Sequence, residues 1–182
     1  MPALDSILAN DIRLIDYEKI TDDKNNRLIA FGEYAGIAGA LDFLKAFGEY
    51  IMMKGISTPF LHCHSAYKYF SIEEAYTYLK GIGMQVKEKH LPKELSPMIW
   101  AVTGRGRTAQ GCYKVIENFP VTHIKPNDVA KIWGDRKNPD HCKTIYVVNI
   151  NTEDCMVPLD PTAKFDRDDF NKNRHKYGCN FG

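Results

Sequence analysis

The sequence predicts an α/β fold, and three observations carry that expectation. Apolar, β-branched runs at 98–102, 120–125 and 144–150 have the length and composition of buried strands. The first run breaks at once into a glycine-rich turn, Thr103-Gly-Arg-Gly-Arg-Thr-Ala-Gln-Gly111, and Cys112–Phe119 then shows helical spacing. Residues 33–54 form the longest helical pattern in the chain. Together they describe a partial Rossmann-like three-layer unit with a parallel sheet, preceded by a β-hairpin and a long linking helix. The expected segments are 1–31, the end of a preceding domain carrying the hairpin; 32–95, the linking helix and a second helix; and 96–182, the partial dinucleotide-binding unit.

Composition narrows the function classes. The chain has 182 residues, 44% of them hydrophobic, enough for a core. A net charge of +1 argues against nucleic-acid and membrane partners. No apolar run approaches the roughly 20 residues a membrane span needs. The start, Met-Pro-Ala-Leu-Asp-Ser, lacks the features of a secretory leader or transit peptide. Five cysteines, an odd number with no C-x-x-C pair, suggest reduced thiols in a cytoplasm-like compartment, or a mitochondrial one if a longer precursor exists.

At the N-terminus, Leu4, Ile7 and Leu8 have helical spacing over Met1–Asn10. Residues 12–20 and 27–31 are strand-like runs about the polar turn 22–26, which reads as a β-hairpin that must pack on something to persist. In the long helix, Ile37, Leu41, Leu44 and Ile51 mark one stripe. Ala40, Phe43, Phe47 and Tyr50 widen it, so burial on two sides is expected. Gly32, Gly36 and Gly39 lower helix propensity near its start and suggest close approach of another backbone.

Thr58-Pro59 ends that helix. His62 and His64 share a side of an extended Leu61–Ser65 and could ligate a metal, but no third ligand stands at suitable spacing, so no metal is assigned. Ser71-Ile-Glu-Glu74 is a capping box opening a helix through Leu79, closed near Gly81 or Gly83. Residues 84–91 fit either a helical extension or an edge strand.

The glycine turn is the candidate site. Gly104 would let the chain turn tightly off its strand, and Gly106 would let the backbone approach a pyrophosphate. Gly111 would let the helix sit close to the sheet, with Ala109 standing where a third glycine or alanine usually falls. The first helical amides, including those of Arg107, Thr108 and Ala109, would face the phosphates. Arg105 and Arg107 could pair with pyrophosphate or a 2′-phosphate. Asp128 lies 24 residues after Gly104, near the distance at which an acid binds ribose hydroxyls, although a role as a helix-start acid is equally consistent. A strand–turn–helix with glycines for packing alone is the plain alternative. Beyond the third strand, 164–176 reads as loop and a polar helical piece.

Several strings occur in a telling order: Ile12-Arg-Leu-Ile-Asp-Tyr-Glu-Lys19, Ala30-Phe-Gly-Glu-Tyr-Ala-Gly-Ile-Ala-Gly39, Thr58-Pro-Phe60, Thr103-Gly-Arg-Gly106 with Gly111, and Asp160-Pro161 with His175-Lys-Tyr177. They resemble the lysine–ketoglutarate reductase region of the saccharopine dehydrogenase family, which is related to alanine dehydrogenase and the transhydrogenases. The resemblance implies part of a two-domain dehydrogenase that condenses lysine with 2-oxoglutarate and reduces the imine to saccharopine with NADP or NAD, NADP being favoured. The family's acid–base lysine and histidine lie in a longer N-terminal region with no counterpart here, so no catalytic residue is assigned. Only one half of a dinucleotide fold is visible, so activity is expected only with further parts. Self-association or a partner chain would cover the open sheet edge. The alternatives are a non-catalytic nucleotide-binding or assembly module of that ancestry, and a scaffold.

Overall fold

The computed structural model describes residues 2–179, so Met1 of the expected first helix and the final three residues of the expected last segment lie outside it. The chain divides into two compact units between Phe31 and Gly32. In the first, α1 (Pro2–Ala9) is followed by a 3-10 turn at Tyr17–Lys19. The expected hairpin does not form a ladder: a single antiparallel bridge joins Thr21 to Arg27. The turn itself is as its composition suggests. The Asp22 carboxylate accepts hydrogen bonds from the backbone amides of Lys24 (2.9 Å) and Asn26 (2.8 Å). Among the described residues no further strand pairs with this segment, and Leu14, Ile15 and Leu28 are exposed.

The second unit begins with α2 (Gly32–Met53). Its stripe of Ile37, Leu41, Leu44 and Ile51 is buried as the spacing requires. Burial on two sides is not seen, because Phe43 and Tyr50 are each 55% exposed. Phe60, delivered by the 3-10 turn Pro59–His62, is the fully buried centre of the core. Its ring lies 5.4 Å from Phe47, 5.7 Å from Trp100 and 5.6 Å from Phe119.

Helix α3 (Ile72–Lys89) starts where predicted, with Ser71 Oγ accepting from the Glu74 amide at 3.1 Å. It does not stop at Gly81 or Gly83. Gly83 is buried against the Asn118 carbonyl, and Ala75, Leu79, Ile82 and Val86 continue one buried stripe past it. Tertiary packing thus outweighs the roughly 1 kcal/mol that a helical glycine costs.

The parallel sheet holds β1 (Met98–Thr103), β2 (Val121–Ile124) and β3 (Ile145–Ile150). Between them run α4 (Arg107–Ile116) and α5 (Val129–Gly134). The strands match the three expected runs. Their order is β1-β3-β2, with Met98–Thr103 in register with Ile145–Ile150. The central position suits β3, whose Ile145, Val147 and Val148 are buried. In the first half of a dinucleotide-binding sheet the glycine strand lies beside the strand that follows it. Here β3 separates β1 from β2, and β1 has no neighbour on its other side among the described residues.

A second, antiparallel sheet pairs β4 (Met156–Pro158) with β5 (Tyr177–Cys179), β4 being preceded by one helical turn, α6 (Thr152–Cys155). Between the two strands lies α7 (Arg167–Lys172). Sequence reading anticipated the helical piece but not these strands. Each has three residues, one ending in Pro158 and the other interrupted by Gly178, too short for a period-two pattern. Tyr177 closes this region on Phe165 (5.6 Å) and Phe170 (5.3 Å).

Candidate functional site

The glycine turn stands at the carboxyl end of β1. Gly104 has φ +85°, a left-handed conformation that a side chain would strain, and its amide donates to the Ile150 carbonyl at 2.9 Å. Gly106 caps α4, and nothing lies within 4 Å of where its Cβ would be, so the space in front of it is open. The first hydrogen bond of the helix is from Gln110 to the Gly106 carbonyl (3.1 Å). The amides of Arg107, Thr108 and Ala109 accordingly find no acceptor among the described residues. Open space, unpaired amides and the positive end of a 10-residue helix are the features by which a helix start could hold a phosphate.

Gly111 has a different neighbour from the one expected. A side chain there would collide with the Glu33 carbonyl on α2, so the residue permits helix–helix contact and not helix–sheet contact. Gly36 of α2 meets the Thr108 carbonyl in the same way, whereas Gly39 faces open space. Lys114 pairs with Glu33 across this crossing at 2.5 Å, which raises the lysine pKa. Ala109 is buried in the same contact region, and Thr108 is exposed.

The two arginines differ. Arg105 Nε donates to Asn151 Oδ1 at 2.8 Å, and its terminal nitrogen pairs with Glu153. Glu153 is also held by Arg167 at 2.6 Å. A hydrogen bond from its own backbone amide, then those arginines, keeps its carboxyl below the usual range. Arg107 has no hydrogen bond or ion pair among the described residues and is the guanidinium available to a ligand.

Asp128 is not brought to the turn. Its carboxylate accepts from the Lys125 amide at 3.2 Å, the helix-start role. It follows β2, and two strand spacings of about 4.8 Å put that strand some 10 Å from β1. The acid that stands next to the turn is Glu153, at the end of β3.

Sequence reading missed the residues that brace the turn. Asn149 Nδ2 donates to the Gly104 carbonyl at 2.8 Å and to the Val102 carbonyl at 3.2 Å. Asn151 in turn donates to Asn149 Oδ1 at 2.8 Å. The available signal was their place at the carboxyl end of a strong parallel strand, where α/β sheets carry their ligands.

His62 and His64 gather no further metal ligand, and no group of three or more His, Cys, Asp or Glu among the described residues is arranged to hold one. No helix among the described residues is long and apolar enough to cross a membrane.

No protein-family model matches the chain. Over 184 residues it is 33% identical to the alpha-aminoadipic semialdehyde synthase of Arabidopsis thaliana, an alignment covering 97% of this chain and 17% of that protein. Over 132 residues it is 32% identical to the mitochondrial alpha-aminoadipic semialdehyde synthases of Mus musculus and Rattus norvegicus, covering 72% of this chain and 14% of each relative. The chain thus spans less than a fifth of the length of these relatives. It belongs to the lysine–ketoglutarate reductase/saccharopine dehydrogenase family, the nicotinamide-dependent oxidoreductases of lysine metabolism, and corresponds to a portion of such a protein.

Proposed function

We propose that this chain supplies the phosphate-binding part of a lysine–ketoglutarate reductase, gripping the diphosphate of NADP or NAD at the glycine turn. The supporting observation is the pairing of an open Gly106 with three unpaired amides at the start of α4. When bound, the nicotinamide would supply the hydride that reduces the imine of lysine and 2-oxoglutarate to saccharopine. The residues of this chain hold and orient: the amides of 107–109 and the Thr108 hydroxyl on the phosphates, and the Arg107 guanidinium on the diphosphate or a 2′-phosphate, for which NADP is favoured. Asn149 keeps the turn in shape.

Catalysis is proposed to need segments beyond this chain, which would add strands at the unpaired edge of β1. That edge opens on an apolar groove of about 410 Å³ lined by Ala35, Gly39, Phe43, Ile99, Ala101 and Ile116. An odd number of cysteines with no C-x-x-C pair fits a reducing compartment, cytoplasmic or mitochondrial. The alternative is a nucleotide-binding or assembly module without catalysis; the separation of β1 from β2 by β3 favours its assembly form, because the usual ribose-binding acid is displaced.

The test is calorimetric titration with NADPH and NADH, followed by NADPH absorbance in the presence of lysine and 2-oxoglutarate. Binding that Gly106→Val abolishes, without turnover, is the expected result. Absence of binding overturns the nucleotide reading, and turnover by the chain alone overturns the need for further parts.

A further inference from the structure

A second trough, of mixed polar and apolar lining, lies at the opposite end of the sheet from the glycine turn. Positions 77, 81, 85 and 89 recur every four residues along one face of α3 and line two adjoining cavities against the 57–64 segment. One cavity, of about 410 Å³, is lined by His64, Thr77, Tyr78 and Ile82. The other, of about 340 Å³, is lined by Thr58, Lys89 and His90. His62 and Gln85 line both. Leu91, next to His90, donates to the Cys142 carbonyl at 2.8 Å, just before β3 begins, so the trough sits at the amino ends of the strands. Six residues of β1 at about 3.3 Å each separate that level from the glycine turn by roughly 20 Å.

Three observations bear on what it holds. No Asp or Glu lines either cavity, whereas Lys89, His62, His90 and Gln85 all offer N–H donors. None of those four side chains makes a hydrogen bond or ion pair among the described residues. The Thr58 hydroxyl is buried, the residue being only 6% exposed, and it has no partner, an arrangement that costs about 1–3 kcal/mol unless something satisfies it. The helix end contributes carbonyls that repel an anion, an effect that Lys87 and Lys89 in the last turn offset.

We propose that this trough is a binding site for a small anion carrying a carboxylate or phosphate group, separate from the nucleotide cradle. The anionic group sits among Thr58, His62, Lys89 and His90, within reach of the Gln85 amide. The body of the ligand extends over Ile82 toward the His64 and Tyr78 rings, whose centroids are 5.6 Å apart. The volume suits a molecule of a few heavy atoms to drug size.

The experiment titrates the full chain with succinate and, separately, with inorganic phosphate in the millimolar range, following the imidazole resonances of His62 and His90 by NMR. Saturable shifts are expected with at least one probe, and whichever binds tighter identifies the head group. Lys89→Ala should weaken that binding about tenfold, the effect of one charge-assisted hydrogen bond. Thr58→Val, which removes a buried unpartnered hydroxyl, should weaken binding while leaving the melting temperature unchanged or higher. Lys80→Ala, on the same helix but outside both cavities, should do neither. Phosphate captured by the glycine turn would instead be lost in Gly106→Val and kept in Thr58→Val. That pattern, or no saturable shift with either probe, overturns the proposal.

Discussion

Gly36 of α2 and Gly111 of α4 meet at one helix crossing: a side chain on the first would strike the Thr108 carbonyl, and one on the second the Glu33 carbonyl. Because both obstacles are backbone, neither can rotate away, and an added methyl group must push the helices apart. Gly36→Ala and Gly111→Ala should each destabilise the chain by about 2–3 kcal/mol in urea denaturation. Gly39→Ala, on the same helix but in open space, should stabilise by about 0.5–1 kcal/mol. Equal effects at positions 36 and 39 would contradict this crossing.

Gly106 and Asn149 separate binding from stability. A valine at 106 has room in the folded chain, so unfolding should shift by less than about 0.5 kcal/mol while NADPH binding disappears. Asn149→Ala leaves the Val102 carbonyl of β1 and the Gly104 carbonyl of the turn without this donor and should cost about 1–3 kcal/mol as well as weakening binding. Paired melting and calorimetry on the two variants distinguishes these outcomes.

Glu153 ties Arg105 and Arg167 together beside the turn. Its folded-state pKa lies below its ordinary value of 4.5, so its stabilising contribution is complete above that pH and is lost as pH falls through the folded value. Glu153→Gln should therefore flatten the acid side of the stability–pH curve below about pH 4.5 and leave neutral pH nearly unaffected, since both partners are exposed. It also releases Arg105, so NADPH affinity at pH 7 should rise by a few-fold. A drop in affinity would show that the carboxylate itself holds the ligand.

Cys63 is buried, and burial pushes its thiol up to about 12. Treated with a disulfide reagent at pH 8, the native chain should leave Cys63 unmodified. Urea should render Cys63 reactive. Mass-spectrometric mapping of the labelled peptides reads this directly.

Ala101 is exposed on β1 beside its unpaired edge, where a lysine discourages strand addition. If that edge recruits strands, Ala101→Lys should reduce self-association in sedimentation velocity while leaving the melting temperature within a few degrees. Unchanged association would place the contact elsewhere.

Local rules carried much of this structure. The capping serine at 71, the apolar stripe of α2, the three strand runs and the turn residues Gly104 and Gly106 each declare themselves within a few positions, because helix period, strand composition and turn conformation are short-range properties. The order of strings along the chain was also enough to place it in its family. The tertiary structure decided what depends on residues far apart. It ran α3 through two glycines, because Gly83 packs against Asn118. It reduced the 12–31 hairpin to the one bridge between Thr21 and Arg27. It placed β3 between β1 and β2, which moved Asp128 away from the glycine turn and put Asn149, Asn151 and Glu153 there instead. Sequence spacing measures distance along the chain, whereas a binding site is assembled by whichever strands become neighbours, and strand order is chosen by the packing of the whole core.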